Sequence, residues 1–542
     1  LVLLVIAFGS LVSALLPLGV AVVAIIGTFA ELSLLTHVTN VSVFAINLTT
    51  ALGLGLGIDY ALLMVSRFRE ELAAGVDVEQ AVARTTATAG RTIAFSALTV
   101  TAALAAMMVF PVYFLKSFAY AGVGVTVLSA AVALLVLPAG LAVLGHRVNA
   151  GRVPGVTPVR SVEAPFWGRL AEGVIRRPVL AAVPVIAVLV LLATPLLGVS
   201  FGTPDDRVLP TSAASHEVGD ALRSDFATTP DVIDVVVTPS VPASELASYT
   251  RDLSGLSGVQ EADSAAGSFA AGDRAEPSRD PVSLTASRTQ RVSLSTGVDP
   301  ASTAAQDLVR RVRDVPTPEG ATVFVGGASA TLVDAKDAIS SRLPLAAGLI
   351  VVTTFILLFL FTGSIVQPIR ALFGNALTLG ATLGAMVWVF QGGHFASLLG
   401  FTPTPTNTAM PVLLFCIAFG LSMDYEVFLM SRIKELHDAG ASNADAVVHG
   451  LARTGRIVST AAALLAVSFF AFGTSRVSFI QFFGLGTGLA ILIDATLVRG
   501  VLVPAFMRMF GEGSWYAPHV LRRLHDAVGL SENVRVPMTS IR

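Results

Sequence analysis

The chain is organised by long apolar runs broken by short polar connections. A bilayer core of about 30 Å needs about 20 apolar residues in helix. Windows of that kind lie near 14–35, 45–66, 92–114, 117–144, 178–199, 343–363, 369–391, 409–431, 457–475 and 479–508, and the apolar 1–9 makes an eleventh span. One long stretch, 201–343, breaks this rhythm. Its segments 231–237, 288–294 and 321–327 alternate as strands do, a weaker strand fits 258–264, and helices fit 242–254 and 300–314. That order is β-α-β-β-α-β, the split βαβ arrangement. A further helix is expected at 211–226, and 331–342 should run directly into the following span.

Composition agrees with this division. Of 542 residues 54% are hydrophobic and 13% charged, and the mean hydropathy is +0.76. Soluble domains carry roughly 25% charged residues, so a single water-soluble globule is excluded. The net charge of −2 separates into −8 for residues 201–343 and +6 for the rest. Basic residues cluster in alternate connections: Arg67, Arg69, Arg84 and Arg91 in 67–91, six arginines in 145–177, and Arg432, Lys434, Arg453 and Arg456 in 432–456. The intervening connections are nearly bare. By the positive-inside rule the basic connections are cytoplasmic, which places 201–342 outside. The single cysteine, Cys416, allows no internal disulfide, and the histidines show no metal-ligand spacing. No phosphate-binding GxxxxGK[ST] loop is present, and basic residues sit at membrane edges rather than in an aromatic-laced patch, so nucleic-acid binding is not expected. The opening LVLLVIAFGS lacks the basic region of a signal peptide.

An internal repeat carries the chemistry. GLGLGIDYALLMVSRFREEL (53–72) matches FGLSMDYEVFLMSRIKEL (419–436), pairing Asp59 with Asp424, Tyr60 with Tyr425, Arg67 with Arg432, Glu70 with Glu435, and Gly90-Arg91 with Gly455-Arg456. Every pair is separated by 365 residues, which marks a duplication. Both copies run from the bare side to the basic side, so the repeat is parallel rather than inverted. The expected division is 1–145 as a first membrane repeat truncated at its N-terminus, 146–177 as cytoplasmic linker, 178–200 as a span, 201–342 as the outer domain, 343–508 as the second repeat and 509–542 as cytoplasmic tail. Symmetry of the repeat leads to the expectation of one more N-terminal helix and a second outer domain in the intact protein.

Asp59 and Asp424 sit about two-thirds of the way along their spans. A charge at bilayer depth costs ~2.5–3.5 kcal/mol on insertion scales, so two of them at equivalent positions point to proton or cation handling. The structural alternative is a pair of aspartates held in interhelical hydrogen bonds. Neighbouring helix positions lie about 100° apart, so Asp59 cannot face Tyr60. A pseudo-twofold axis would instead pair Asp59 with Tyr425 and Asp424 with Tyr60, with Gly53 and Gly57, matched by Ala418 and Ser422, as a small-xxx-small face permitting close approach. A carboxylate between water and apolar packing is suited to load and release a proton, and one charge crossing the membrane releases ~2.3 kcal/mol per 100 mV. Asp494 either joins this relay or pairs structurally, and Glu426 is placed to tune the second site. Ser96 and Ser459 are expected in helix–helix hydrogen bonds, Arg91 and Arg456 as snorkelling residues, and Trp515 with Tyr516 as an interfacial anchor.

The two Asp-Tyr motifs, with GRTIAFSALT and DATLVRGVLVPAFMRMFGEGSWYAP, resemble the mycobacterial-membrane-protein-large (MMPL) family of the resistance-nodulation-division (RND) superfamily. The resemblance runs over essentially the whole chain. It implies a polytopic α-helical membrane protein of RND type with an α+β extracytoplasmic porter-like domain, residing in a bacterial inner membrane. The implied function is proton-driven export of lipids or other hydrophobic molecules, a trehalose-linked mycolate-type glycolipid among the candidates. Protons are the coupling ion, no other cofactor is implied, and envelope-assembly proteins are possible partners. The same resemblance implies a relay of Asp59, Tyr60, Asp424 and Tyr425. Alternatives within the fold are drug efflux and a non-transporting accessory role. An enzyme is not expected; the remote enzymatic alternative is an intramembrane aspartyl protease, which also needs two membrane aspartates.

Overall fold

The computed structural model describes residues 2–151, 165–225, 231–278, 281–282 and 284–528. Parts of the expected linker (146–177) and tail (509–542), and the end of the expected helix at 211–226, lie outside these residues. Ten helices among the described residues are long and apolar enough to cross a membrane. They are α1 (Leu11–Leu35), α2 (Ala45–Ala73), α3 (Val78–Val109), α4 (Tyr113–Asn149), α5 (Pro178–Gly198), α6 (Ala328–Thr362), α7 (Val366–Gln391), α8 (Ala409–Asp438), α9 (Asn443–Thr474) and α10 (Ser478–Trp515). The eleventh expected span is the seven-residue helix Val2–Phe8, set off from α1 by Gly9 at φ +64°. The fold is thus a polytopic helical membrane protein with a small sheet-containing domain.

Several helices outrun the apolar windows. The 67–91 and 432–456 connections, expected as loops, are mostly helical, with turns only at 74–77 and 439–442. Arg67 pairs with Glu70 and Glu71, Arg432 with Glu435, and Lys434 with Asp438 across single turns. Such i,i+3 and i,i+4 pairs support helix beyond the bilayer core. Asp77 and Ser442 then cap the next helices by accepting from the amides of Glu79 and Asp445.

The sheet-containing domain, expected to lie outside the membrane, centres on β2 (Asp231–Thr238), β3 (Val259–Ser264), β7 (Thr289–Thr296) and β8 (Thr322–Gly326), in the spatial order β3-β7-β2-β8 with every neighbour antiparallel. This is the split βαβ order. Three short strands not anticipated, β4 (Gly267–Ala270), β5 (Asp273–Glu276) and β6 (Thr285–Ala286), extend the sheet at β3 and β7. The helices Ala243–Ser254 and Thr303–Asp314 bury Leu246, Leu253, Leu308 and Val312 against Ile233, Val235, Val292 and Leu294. Ala330 and Val333, in the first turns of α6, belong to this same core, so α6 carries the chain from the outer domain into the membrane without a break. Two two-residue strands, β1 (Phe201–Gly202) and β9 (Thr406–Asn407), pair in parallel where α5 leads into the outer domain.

Candidate functional site

The two repeats meet by exchanging neighbours: α3 packs on α8, and α9 on α2. Glycines allow the approach. A Cβ on Gly55 would meet Leu465 of α9, and one on Gly420 would meet Val100 of α3. Both the glycines and their partners are 365 residues apart, so these are equivalent contacts about a pseudo-twofold axis. The small face singled out in the sequence lies elsewhere. Gly57 faces Ala21 and Gly53 faces Ile25, both on α1, while Ser422 bonds to α7 and α10; Ala418, also buried, lies on α8 with it. Small residues report that something comes close, not which helix it is.

This crossing holds a small pocket lined by Asp59, Tyr60, Asp424, Tyr425, Ser96 and Phe428 among others. The structure therefore gathers all four expected relay residues, and its hydrogen bonding is asymmetric. The Tyr425 hydroxyl donates to Asp59 Oδ2 at 2.5 Å, joining the repeats. The expected mirror bond from Tyr60 to Asp424 is not formed. The Ser96 hydroxyl on α3 donates to Asp424 Oδ1 instead, and the buried Tyr60 hydroxyl makes no hydrogen bond among the described residues. The cause is a sequence difference between the copies: the position equivalent to Ser96 is Ala461, which has no hydroxyl to offer Asp59. Ser459, expected in a helix–helix hydrogen bond, bonds back to Gly455 O on its own helix at 2.5 Å instead.

A second layer of charge surrounds only the second repeat. Asp494 pairs with Arg499 and accepts from Ser422 Oγ at 2.7 Å. Positions five apart lie about 140° apart on an α-helix, but α10 widens into π-helical turns over Asp494–Leu502, which bring the two side chains together. Arg499, 2% exposed, also donates to Ser422 O at 2.6 Å and places its guanidinium 5.0 Å from the centre of the Tyr425 ring. Glu426 pairs with Arg370 of α7, whose Nε donates to Gln367 at 2.9 Å. The first repeat has Ser129, Leu134 and Ala61 at the positions of Asp494, Arg499 and Glu426. Arg370 and Arg499 were not anticipated.

Toward the basic end this pocket adjoins a vestibule of about 270 Å³ ringed by Arg67, Glu70, Arg91, Arg432, Glu435 and Arg453. Leu63, Thr92, Phe428 and Ile457 line both spaces and form the collar between them. Arg91 thus lines a vestibule, whereas Arg456 is exposed. Of the two residues expected as an interfacial anchor, Trp515 stacks on His437 and donates to Asn443 at 3.0 Å, and Tyr516 is exposed. Among the described residues no group of three His, Cys, Asp or Glu side chains is placed to hold a metal.

Fold and cavity together define a multi-pass membrane protein whose two helical repeats share an acidic, tyrosine-lined centre. The family model described as the MMPL family matches residues 1–181 and 210–531, and the chain belongs to that family. It is 41% identical to the putative membrane protein SCO6666 of Streptomyces coelicolor, with 99% of this chain and 72% of that protein covered. It is 36% identical to the trehalose monomycolate exporter MmpL3 of Mycobacterium tuberculosis, over 97% of this chain and 58% of the exporter. It is 31% identical to the mycolic acid-containing lipids exporter MmpL11 of Mycolicibacterium smegmatis, over 95% of this chain and 54% of the relative. The chain thus spans little more than half the length of these mycobacterial relatives.

Proposed function

We propose that this chain is the coupling part of a proton-driven exporter of lipid or other hydrophobic molecules, with its basic connections in the cytoplasm of a bacterial cell and its sheet domain outside the inner membrane. The observation that carries the reading is the Tyr425–Asp59 bond at the crossing of the repeats. A carboxylate held by a hydroxyl of the opposite repeat is stable in one relative position of the two halves. Gaining or losing a proton changes the strength of that bond, since a charged acceptor binds its donor roughly twice as strongly as a neutral one. Proton state is thereby tied to how the repeats sit against each other. Asp424 is tied to α3 in the same manner through Ser96. The named activities of the mycobacterial relatives favour a lipid cargo, and a mycolate-type glycolipid is the specific candidate. Transport, rather than bond cleavage, is the role assigned to the two aspartates; envelope-assembly proteins would receive the cargo.

The test is complementation of cells depleted of the full-length protein. Asp59→Asn and Asp424→Asn, each made separately, are expected to abolish export while the protein is still found in the membrane at its normal level. Analysis of inner and outer envelope lipids reads the result and names the lipid that accumulates inside. Normal outer lipids in both variants would overturn the reading.

A further inference from the structure

The outer domain is attached to the membrane part by two connections of different construction. The exit is α6, one continuous helix of 35 residues, or about 50 Å at 1.5 Å per residue. The entrance is a short extended segment after α5, and it is stitched to other helices rather than left free. The Ser200 N–H donates to Gln391 Oε1 at 2.9 Å, and Gln391 Nε2 donates to Gly198 O at 2.8 Å. One side-chain amide thus holds the segment by both its donor and its acceptor. The Thr406 N–H also donates to Ser200 O at 2.9 Å, and β1 pairs with β9 in the register Phe201–Thr406 and Gly202–Asn407. A Cβ on Gly202 would lie 3.0 Å from the Pro405 ring, so a side chain there would press on the residue that leads into β9.

What β9 leads into gives this contact its meaning. Asn407 Oδ1 accepts from the Ala409 N–H and so caps the first turn of α8. Asp424 and Tyr425 stand on that same helix, about 22 Å further on. Gln391 ends α7, whose Arg370 pairs with Glu426 of α8 near the other end of the helix. The segment entering the outer domain is therefore held by α7 and by the leading turn of the helix that carries Asp424.

We propose that Gln391 and the β1–β9 ladder form a clasp through which movement of α8 reaches the outer domain, with Gln391 as its positioning residue. The inference rests on the relay reading of Asp424. Backbone bonds in a two-residue ladder hold register only while the segment stays extended, and two further bonds from Gln391 supply that restraint. Without Gln391 the segment slackens, and displacement of β9 is absorbed between Val199 and Gly202 instead of passing on.

Hydrogen exchange of the full-length protein in lipid nanodiscs, with Asp424→Asn as the fixed-proton mimic, tests this without knowledge of the cargo. With Gln391 present, Asp424→Asn is expected to change exchange at both 404–410 and 200–208. In Gln391→Leu the change at 404–410 persists while that at 200–208 falls at least about five-fold, a span usual for coupled neighbours. Thr406→Pro, which deletes the N–H reaching Ser200, gives the same separation with Gln391 intact. A Phe201→Cys/Thr406→Cys cross-link in the Gln391→Leu background restores the response on oxidation and not on reduction; Cys416 is buried and does not compete. Equal responses at 200–208 with and without Gln391, or a cross-link that restores nothing, would overturn the clasp. A native protein that responds at 404–410 but not at 200–208 also removes the clasp and spares the relay reading. No response at 404–410 in any background removes both.

Discussion

At the scale of single residues, equivalent positions in the two repeats have acquired different work. Asp424 takes its hydroxyl from Ser96, and Asp59, facing Ala461, takes one from Tyr425. Ser96→Ala is expected to lower export about ten-fold, as the loss of one hydrogen bond to a buried carboxyl implies, and initial-rate export in complemented cells reads it. The glycines separate by what they face. A Cβ on Gly57 would lie 2.7 Å from the Ala21 Cα, backbone that cannot turn aside, whereas one on Gly55 meets the end of the Leu465 side chain, which can. Gly57→Ala should therefore cost about 1–3 kcal/mol and Gly55→Ala less, measured as detergent-solubilised thermal unfolding. The aspartates and tyrosines were legible because a 365-residue offset repeats their charged neighbours. Ser96 was legible as an interhelical donor but not as the partner of Asp424, because its place in the repeat is filled by alanine.

At the scale of elements, the second repeat is held by buried ion pairs that the first lacks. Arg370 and Glu426 are 4% and 6% exposed in their side chains. Removing one member of such a pair strands a charge, whereas replacing both with apolar groups does not. Arg370→Met should lower stability by about 3–5 kcal/mol, and Arg370→Met with Glu426→Leu should recover most of that loss; unfolding of the purified single and double variants checks it. These pairs were the least legible feature of the chain. Glu426 and Arg370 are separated by 56 residues, and nothing in either segment names the other. Asp494 and Arg499 stand at a spacing that a regular helix keeps apart, so only the widened turn of α10 reveals them as partners. The membrane helices themselves were readily located from their apolar runs. Their polar extensions were not, because the hydropathy window stops where the apolar core stops and capping and charge pairs carry the helix on.

At the scale of the whole molecule, the split of net charge into an acidic insert and a basic remainder corresponds to a sheet domain and a helical body. The four central strands were legible from alternation, while β4, β5 and β6 were too short to show a period. An ion pair joins the two segments that precede the sheet. Arg223 grips Asp206 with two bonds of 3.0 and 2.6 Å, and the guanidinium holds the Asp206 carboxyl below the usual carboxylate range. A carboxyl so lowered contributes stability above its unfolded pKa and loses it as pH falls through the folded value. Asp206→Asn should therefore speed exchange of the 205–225 segment at about pH 7, and the difference should close only as pH falls below the usual carboxylate range, where the native carboxyl also takes up its proton.

The two attachments of that domain limit how it can move. A body fixed at two separated points keeps a single freedom, rotation about the line that joins them. On the clasp proposed above, with Phe201–Gly202 as one point and the first turns of α6 as the other, the sheet domain would be mounted like a hinged plate. Pro344 lies below the second point, where α6 lacks one backbone hydrogen bond. On the proposed relay and clasp, motion of the sheet domain would reduce to one swing angle, which an input with two states, proton on and proton off, would be enough to set.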